Sequence, residues 1–131
     1  MEILQPTGWP RPRGYANGIV ARGRNLWVAG QIGWEPTTGE IVSDDFAAQV
    51  RQALVNLAAV LHVGGAAPHH IVRLTWYITD KAAYLAAQGE IGRAYREVIG
   101  KHFPAMSVVV VSALLEDRAK VEIEATAVAP D

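Results

Sequence analysis

The stretch Val121 to Val128 sets two carboxylates in alternation with aliphatic side chains: Glu122 and Glu124 against Val121, Ile123 and Ala125. Residues two apart in a strand share a face, so both glutamates emerge on one side and the aliphatic groups on the other. A carboxylate drawn partly out of water holds its proton more readily and suits proton transfer. Two solvated edge charges are the plain alternative. The chemical reading stays open because the nearby run FPAMSVVVV, Phe103 to Val111, would place the glutamates close to an apolar surface in need of cover.

Other chemistries find less support. His69 and His70 are adjacent, which aims them apart in an extended chain, and neither His62 nor His102 completes an HxH or HxxxH pair, so no metal site is expected. The absence of cysteine removes disulfides, thiolate ligands and a cysteine nucleophile. Ser107 and Ser112 lack a Gly-x-Ser-x-Gly elbow, and Gly89-x-x-Gly92 lies in a helical pattern without the strand that a phosphate-binding turn requires. Trp27 and Trp76 fall in strand patterns and are expected in the core. Trp34 and Tyr15 sit in Gly/Pro-rich loops, where each either lines a cleft or interface or is ordinary surface.

The elements that must position these residues follow from periodicity. GIV, ending at Val20, and the strand around Leu26 and Val28 flank the turn Arg22-Gly23-Arg24-Asn25 as a candidate hairpin. After the loop Gly33 to Glu40, Ser43 or Asp44 can cap a helix with the stripe Phe46, Val50, Leu54, Leu57 and Leu61, ended by Gly64-Gly65. Ile71 to Ile78 reads as a mostly buried strand. A second helix opens at Thr79 or Asp80, presents Tyr84, Ile91, Tyr95 and Val98, and closes at Gly100. Strands from Met106 to Val111 and from Val121 to Val128 complete the order β-β-α-β-α-β-β.

At 131 residues the chain forms a single α+β domain covering residues 1–131. A net charge of −1 with scattered basic and acidic residues argues against nucleic acid as a ligand. No signal-like start and no apolar stretch of about 18 residues is evident, so no membrane span is expected and the cytoplasm is the expected compartment.

Two helices joined to one sheet by right-handed crossovers pack on the same face. The other face is then bare. With the valine run on it, another subunit is expected to cover it, making clefts between subunits the candidate sites.

YANGIVARG, LWVAGQIG, FAAQVRQALVNLAAVL, IVRLTWYITD, AYREVIG, HFPAMSVVVV and KVEIEATAV, in this order, resemble the Rid family of imine/enamine deaminases, formerly labelled endoribonuclease L-PSP. The resemblance runs from about Tyr15 to Val128. It implies a chorismate-mutase-like fold, with a mixed β-sheet and two helices on one face. It also implies a homotrimer with a central β-barrel and sites in the clefts between subunits. The implied reaction is hydrolysis of a reactive imine or its enamine tautomer to a carbonyl compound and ammonia, without metal or organic cofactor.

By the same resemblance, Glu122 matches the glutamate that orients or activates water, Tyr15 the site tyrosine, and Gly30 the glycine whose backbone borders the ligand; Ala105 lines the same pocket. Four positions depart from the family pattern. Met106 stands where typical members clamp a carboxylate with arginine, Val108 replaces a cysteine, Ala29 a serine and Gly92 an asparagine. Methionine offers adaptable apolar surface in place of charge-assisted hydrogen bonds. The expected substrate is therefore not a typical 2-imino acid, unless Lys120, Arg73 or Arg118 anchors its carboxylate, and Trp34 could supply a stacking surface. A trimeric small-molecule-binding protein without catalysis is the alternative on this scaffold.

Overall fold

The computed structural model describes residues 1–131. Eight strands and three helices follow in order: β1 (Glu2–Leu4), β2 (Gly18–Val20), β3 (Arg24–Gln31), β4 (Trp34–Glu35), β5 (Glu40–Ile41), α1 (Phe46–Val63), β6 (Ile71–Ile78), α2 (Lys81–Ala86), α3 (Gln88–Val98), β7 (Ala105–Val110) and β8 (Val121–Ala129). The main sheet is mixed, in the order β3-β8-β6-β7. Its β3–β8 and β8–β6 pairs are antiparallel, and β6–β7 is parallel. The parallel pair needs a crossover, and the helices between β6 and β7 supply it.

The predicted hairpin does not form. β2 pairs with β1, and β3 pairs with β8. The positive φ of Gly23 (148°) sends the chain from β2 away to the far edge of the main sheet instead of folding it back. The loop after β3 holds a small hairpin of its own, β4 with β5.

The stripe on α1 behaves as its spacing requires. Val50, Leu54, Leu57 and Leu61 are fully buried, and Phe46 nearly so, against β8, β3 and α3. Each large side chain so buried contributes about 1.5–3 kcal/mol relative to leaving it in water. With a single arginine and mean hydropathy 1.2 over 18 residues, α1 is long and apolar enough to cross a bilayer, contrary to the expectation that no such stretch exists. Half of it is buried inside the fold, as in the core helix of a globular domain.

Asp45 caps α1, accepting from the Ala48 N–H at 2.9 Å. Ser43 instead accepts from the Asp45 N–H, and Asp44 pairs with Arg118. Asp80 caps the next helical segment, accepting from Ala83. The predicted second helix is divided at Ala87, so three helices and not two lie on the face; Gly89 and Gly92 weaken helical continuity there. Ile91 and Tyr95 of α3 still reach the core, with Tyr84 and Val98 packed against it.

His69 and His70 do not point apart. Pro68–His70 is a tight turn, closed where His70 Nδ1 accepts from the Ala67 N–H at 3.0 Å, and the two rings stand 4.1 Å apart. Burial, then the positive neighbours His69, His102 and Arg24, hold the His70 imidazole below its usual pKa.

β8 alternates buried and half-exposed residues over its whole length, with Val121, Ile123, Ala125, Ala127 and Ala129 toward the helices. No element of the chain covers the opposite face of the sheet. Trp27, expected in the core, lies there 76% exposed, because it is out of phase with the buried Val28. Trp76 does enter the core. Of the valine run, Val108 packs against the core while Val109 and Val110 remain 41% and 56% exposed on the edge strand β7.

Candidate functional site

The uncovered face is built from alternate residues of adjacent strands. β8 contributes Glu122, Glu124 and Thr126, and β6 contributes Arg73, Thr75 and Tyr77. The register sets Tyr77 beside Glu122, Thr75 beside Glu124 and Arg73 beside Thr126. β3 closes one side, with Trp27 beside Thr126.

The β3–β8 register slips between Val28 and Gln31, a bulge that brings Gly30 over Glu122. A Cβ on Gly30 would lie 2.7 Å from Cγ and Cδ of Glu122, so only glycine leaves room for this carboxylate. The two carboxylates have different surroundings. Tyr77 Oη donates to Glu124 Oε1 at 2.8 Å, whereas Glu122 accepts from no other side chain. The hydrogen bond to Glu124 raises the Tyr77 hydroxyl pKa, with desolvation and the charges of Glu124 and Glu122 adding to it. Tyr77 therefore remains a proton donor to Glu124 and leaves Glu122 free for solvent or substrate.

Beside them, Trp27, Ala29, Arg73, Thr75, Glu124 and Thr126 line an open depression of about 500 Å³. Of the three cations considered as anchors, two are occupied: Arg118 pairs with the Asp44 carboxylate at 3.1 Å, and Lys120 Nζ donates to the Asp44 carbonyl. The Arg73 guanidinium has neither an ion-pair nor a hydrogen-bond partner.

The remaining predicted residues lie elsewhere. Met106 and Val108 pair with Leu74 and Trp76 and turn with them toward the helices, on the opposite face from Glu122. Gly92 lies on α3, also on the helix side. Ala105 opens β7 and bridges to Ala16, whose N–H donates to the Pro104 carbonyl at 2.9 Å. That bridge fixes the neighbouring Tyr15 over a separate hollow with Ile3, Arg11, His102 and Phe103. Trp34 lines another, with Ile32, Ile41, Glu116 and Arg118, and Asn56 Nδ2 holds its carbonyl at 2.8 Å. Within one chain, then, Gly30 meets Glu122 and Tyr15 neighbours Ala105, while Glu122 and Met106 stand on opposite faces.

Tyr77 was not singled out from the sequence. Its signal was there: Arg73, Thr75 and Tyr77 alternate with Leu74, Trp76 and Ile78, the pattern of a strand with one polar face.

Residues 10–129 match the family model described as Endoribonuclease L-PSP. The chain belongs to this family, the Rid proteins. A RutC family protein of Pyrococcus horikoshii is 34% identical over 126 residues, 96% of each chain. Among solved structures, the Rid-family protein YyfB from Yersinia pestis superposes with a TM-score of 0.84 at 34% identity, covering 98% of both chains. The human 2-iminobutanoate/2-iminopropanoate deaminase is 30% identical over 105 residues, 80% of this chain and 73% of that protein. The mixed α+β architecture is that of the Rid proteins, and a deaminase role runs in the family.

Proposed function

We propose that the protein is an imine or enamine deaminase whose site forms between copies of the chain in a homotrimer. One copy supplies Glu122 and Gly30, and a neighbour supplies the β7 edge with Met106 and Val108. The observation that carries this reading is the Glu122 carboxylate, set against Gly30 and free of side-chain partners while Tyr77 occupies Glu124. The opposite facing of Met106 and Glu122 supports a shared site, because the two can line one cleft only across a subunit boundary.

In the reaction, Glu122 takes a proton from a water as its oxygen adds to the C=N carbon and passes that proton to the nitrogen, giving the carbinolamine. The carbinolamine hydroxyl then gives its proton to Glu122, which delivers it to the amine; the C–N bond breaks, ammonia leaves with the bonding electrons, and the carbonyl remains, with nothing oxidised or reduced. Tyr15 would hydrogen-bond substrate or water from the neighbouring cleft wall.

Ammonia release from imines generated in situ by an amine oxidase or an amino-acid oxidase, read in competition with semicarbazide, tests this function. The protein should speed hydrolysis of neutral or aromatic imines more than that of 2-imino acids. Met106→Arg should raise turnover of 2-imino acids about tenfold, since it restores a charge-assisted clamp. Four departures at polar family positions, Ala29, Gly92, Met106 and Val108, favour the rival reading of a binding protein without catalysis. Acceleration of no imine, together with tight binding of a small metabolite, would establish that rival.

A further inference from the structure

The depression beside Glu124 contains groups that the hydrolysis leaves unused. Arg73 projects from the uncovered face with no carboxylate within ion-pair distance, although Arg118 and Lys120 are both engaged by Asp44. The one acid lining the depression, Glu124, already accepts from Tyr77. Trp27 forms the adjoining wall with its indole three-quarters exposed, and the Thr75 and Thr126 side chains lie between.

We propose that this depression binds planar, conjugated carboxylates, with the carboxylate in the fork of Arg73 and the π-face on Trp27. A guanidinium offers two parallel N–H donors matched to a carboxylate. An exposed indole gains by covering its face with another flat π-system, and two threonine hydroxyls can complete the oxygens' hydrogen bonds. If other copies of the chain close over this face, Arg73 passes into a poorly solvated space, where its attraction to a bidentate anion is strengthened.

Resting on the deaminase reading, the site also sets the shape of the substrate. Arg73 and Tyr77 are four residues apart on β6, about 13 Å along a strand, and Tyr77 is the cross-strand neighbour of Glu122. Even with the guanidinium extended toward Glu122, a carboxylate held there lies several bonds from a carbon attacked beside Glu122. The substrate is an enamine or imine conjugated to a remote carboxylate, not a 2-imino acid.

Titration of tryptophan fluorescence with sorbate and benzoate, against propionate and benzamide, is the test. Sorbate and benzoate should change the emission saturably in the millimolar range or below, with benzamide and propionate at least about tenfold weaker. Arg73→Met and Arg73→Gln should each weaken binding by about tenfold or more. Trp27→Phe should remove the optical signal while sorbate still raises the melting temperature. Equal binding of benzamide and benzoate, or undiminished binding in both Arg73 variants, would overturn the site, as would an Arg73 paired with a neighbour's carboxylate and deaf to sorbate. Carboxylate binding without ammonia release from any imine removes the deaminase reading and leaves this site standing. Ammonia release that ignores both Arg73 variants, with no sorbate response, does the reverse.

Discussion

Ammonia release from a neutral imine should fall by about 10²–10⁴-fold in Glu122→Gln, the contribution a positioned general base typically makes. Glutamine keeps the length and shape of the side chain beneath Gly30, so the loss should come without a change in fold. The melting temperature, measured alongside the rate, checks this. Glu124→Gln should cost far less, because one oxygen of Glu124 is already held by the Tyr77 hydroxyl and Glu124 lies away from Gly30. The comparison separates two carboxylates that differ by two residues in sequence and share one face. Equal losses in the two variants would mean that charge on this face, and not the placement of Glu122, drives the chemistry. An unaltered rate in Glu122→Gln would remove it from the mechanism.

A large effect on stability is expected at Gly33. A Cβ there would lie 2.6 Å from Cα and 2.7 Å from Cβ of Gln49, so the clash is with helix backbone that no rotamer change relieves. Gln49 is fully buried and clamps three segments together. Its amide donates to the carbonyls of Ser43 at 2.9 Å and Arg118 at 3.1 Å, and its oxygen accepts from the Lys120 N–H at 2.8 Å. Gly33→Ala must push α1 away or distort this clamp, and buried polar groups left without partners add to the strain. A loss of about 3 kcal/mol or more is expected, seen as a lower urea midpoint at unchanged slope. In thermal unfolding, that loss lowers the midpoint by about 10 °C. Gly89→Ala provides the contrast. Nothing lies within 4 Å of its Cβ, and it sits in α3, so this change should stabilise by about 0.5–1 kcal/mol.

Periodicity made the core legible. The α1 stripe and the alternation in β8 place the same residues inside that the structure buries, because each element reads its burial from its own repeat. Strand pairing was less legible. β2 and β3 are close in sequence with a turn between them, yet each finds its partner elsewhere, and the three residues of β2 are too few to specify one. Trp27 was misplaced for a related reason. Its aromatic character suggested burial, but phase relative to Val28 decides the face, and phase is the stronger signal. The pairing of Glu124 with Tyr77 depends on the β6–β8 register, which no local pattern contains. Family motifs point to Glu122 and Gly30 each as a site residue; the bulge that brings them together appears only in the folded chain.

The proposed catalysis depends on other copies of the chain closing over the uncovered sheet face, so that Glu122 of one protomer lies near Met106 of the next. The mass of the native particle, from light scattering during gel filtration at low micromolar concentration, tests this most directly. Three times the 14.2 kDa of one chain is the predicted result. A well-folded particle of a single chain's mass would contradict it.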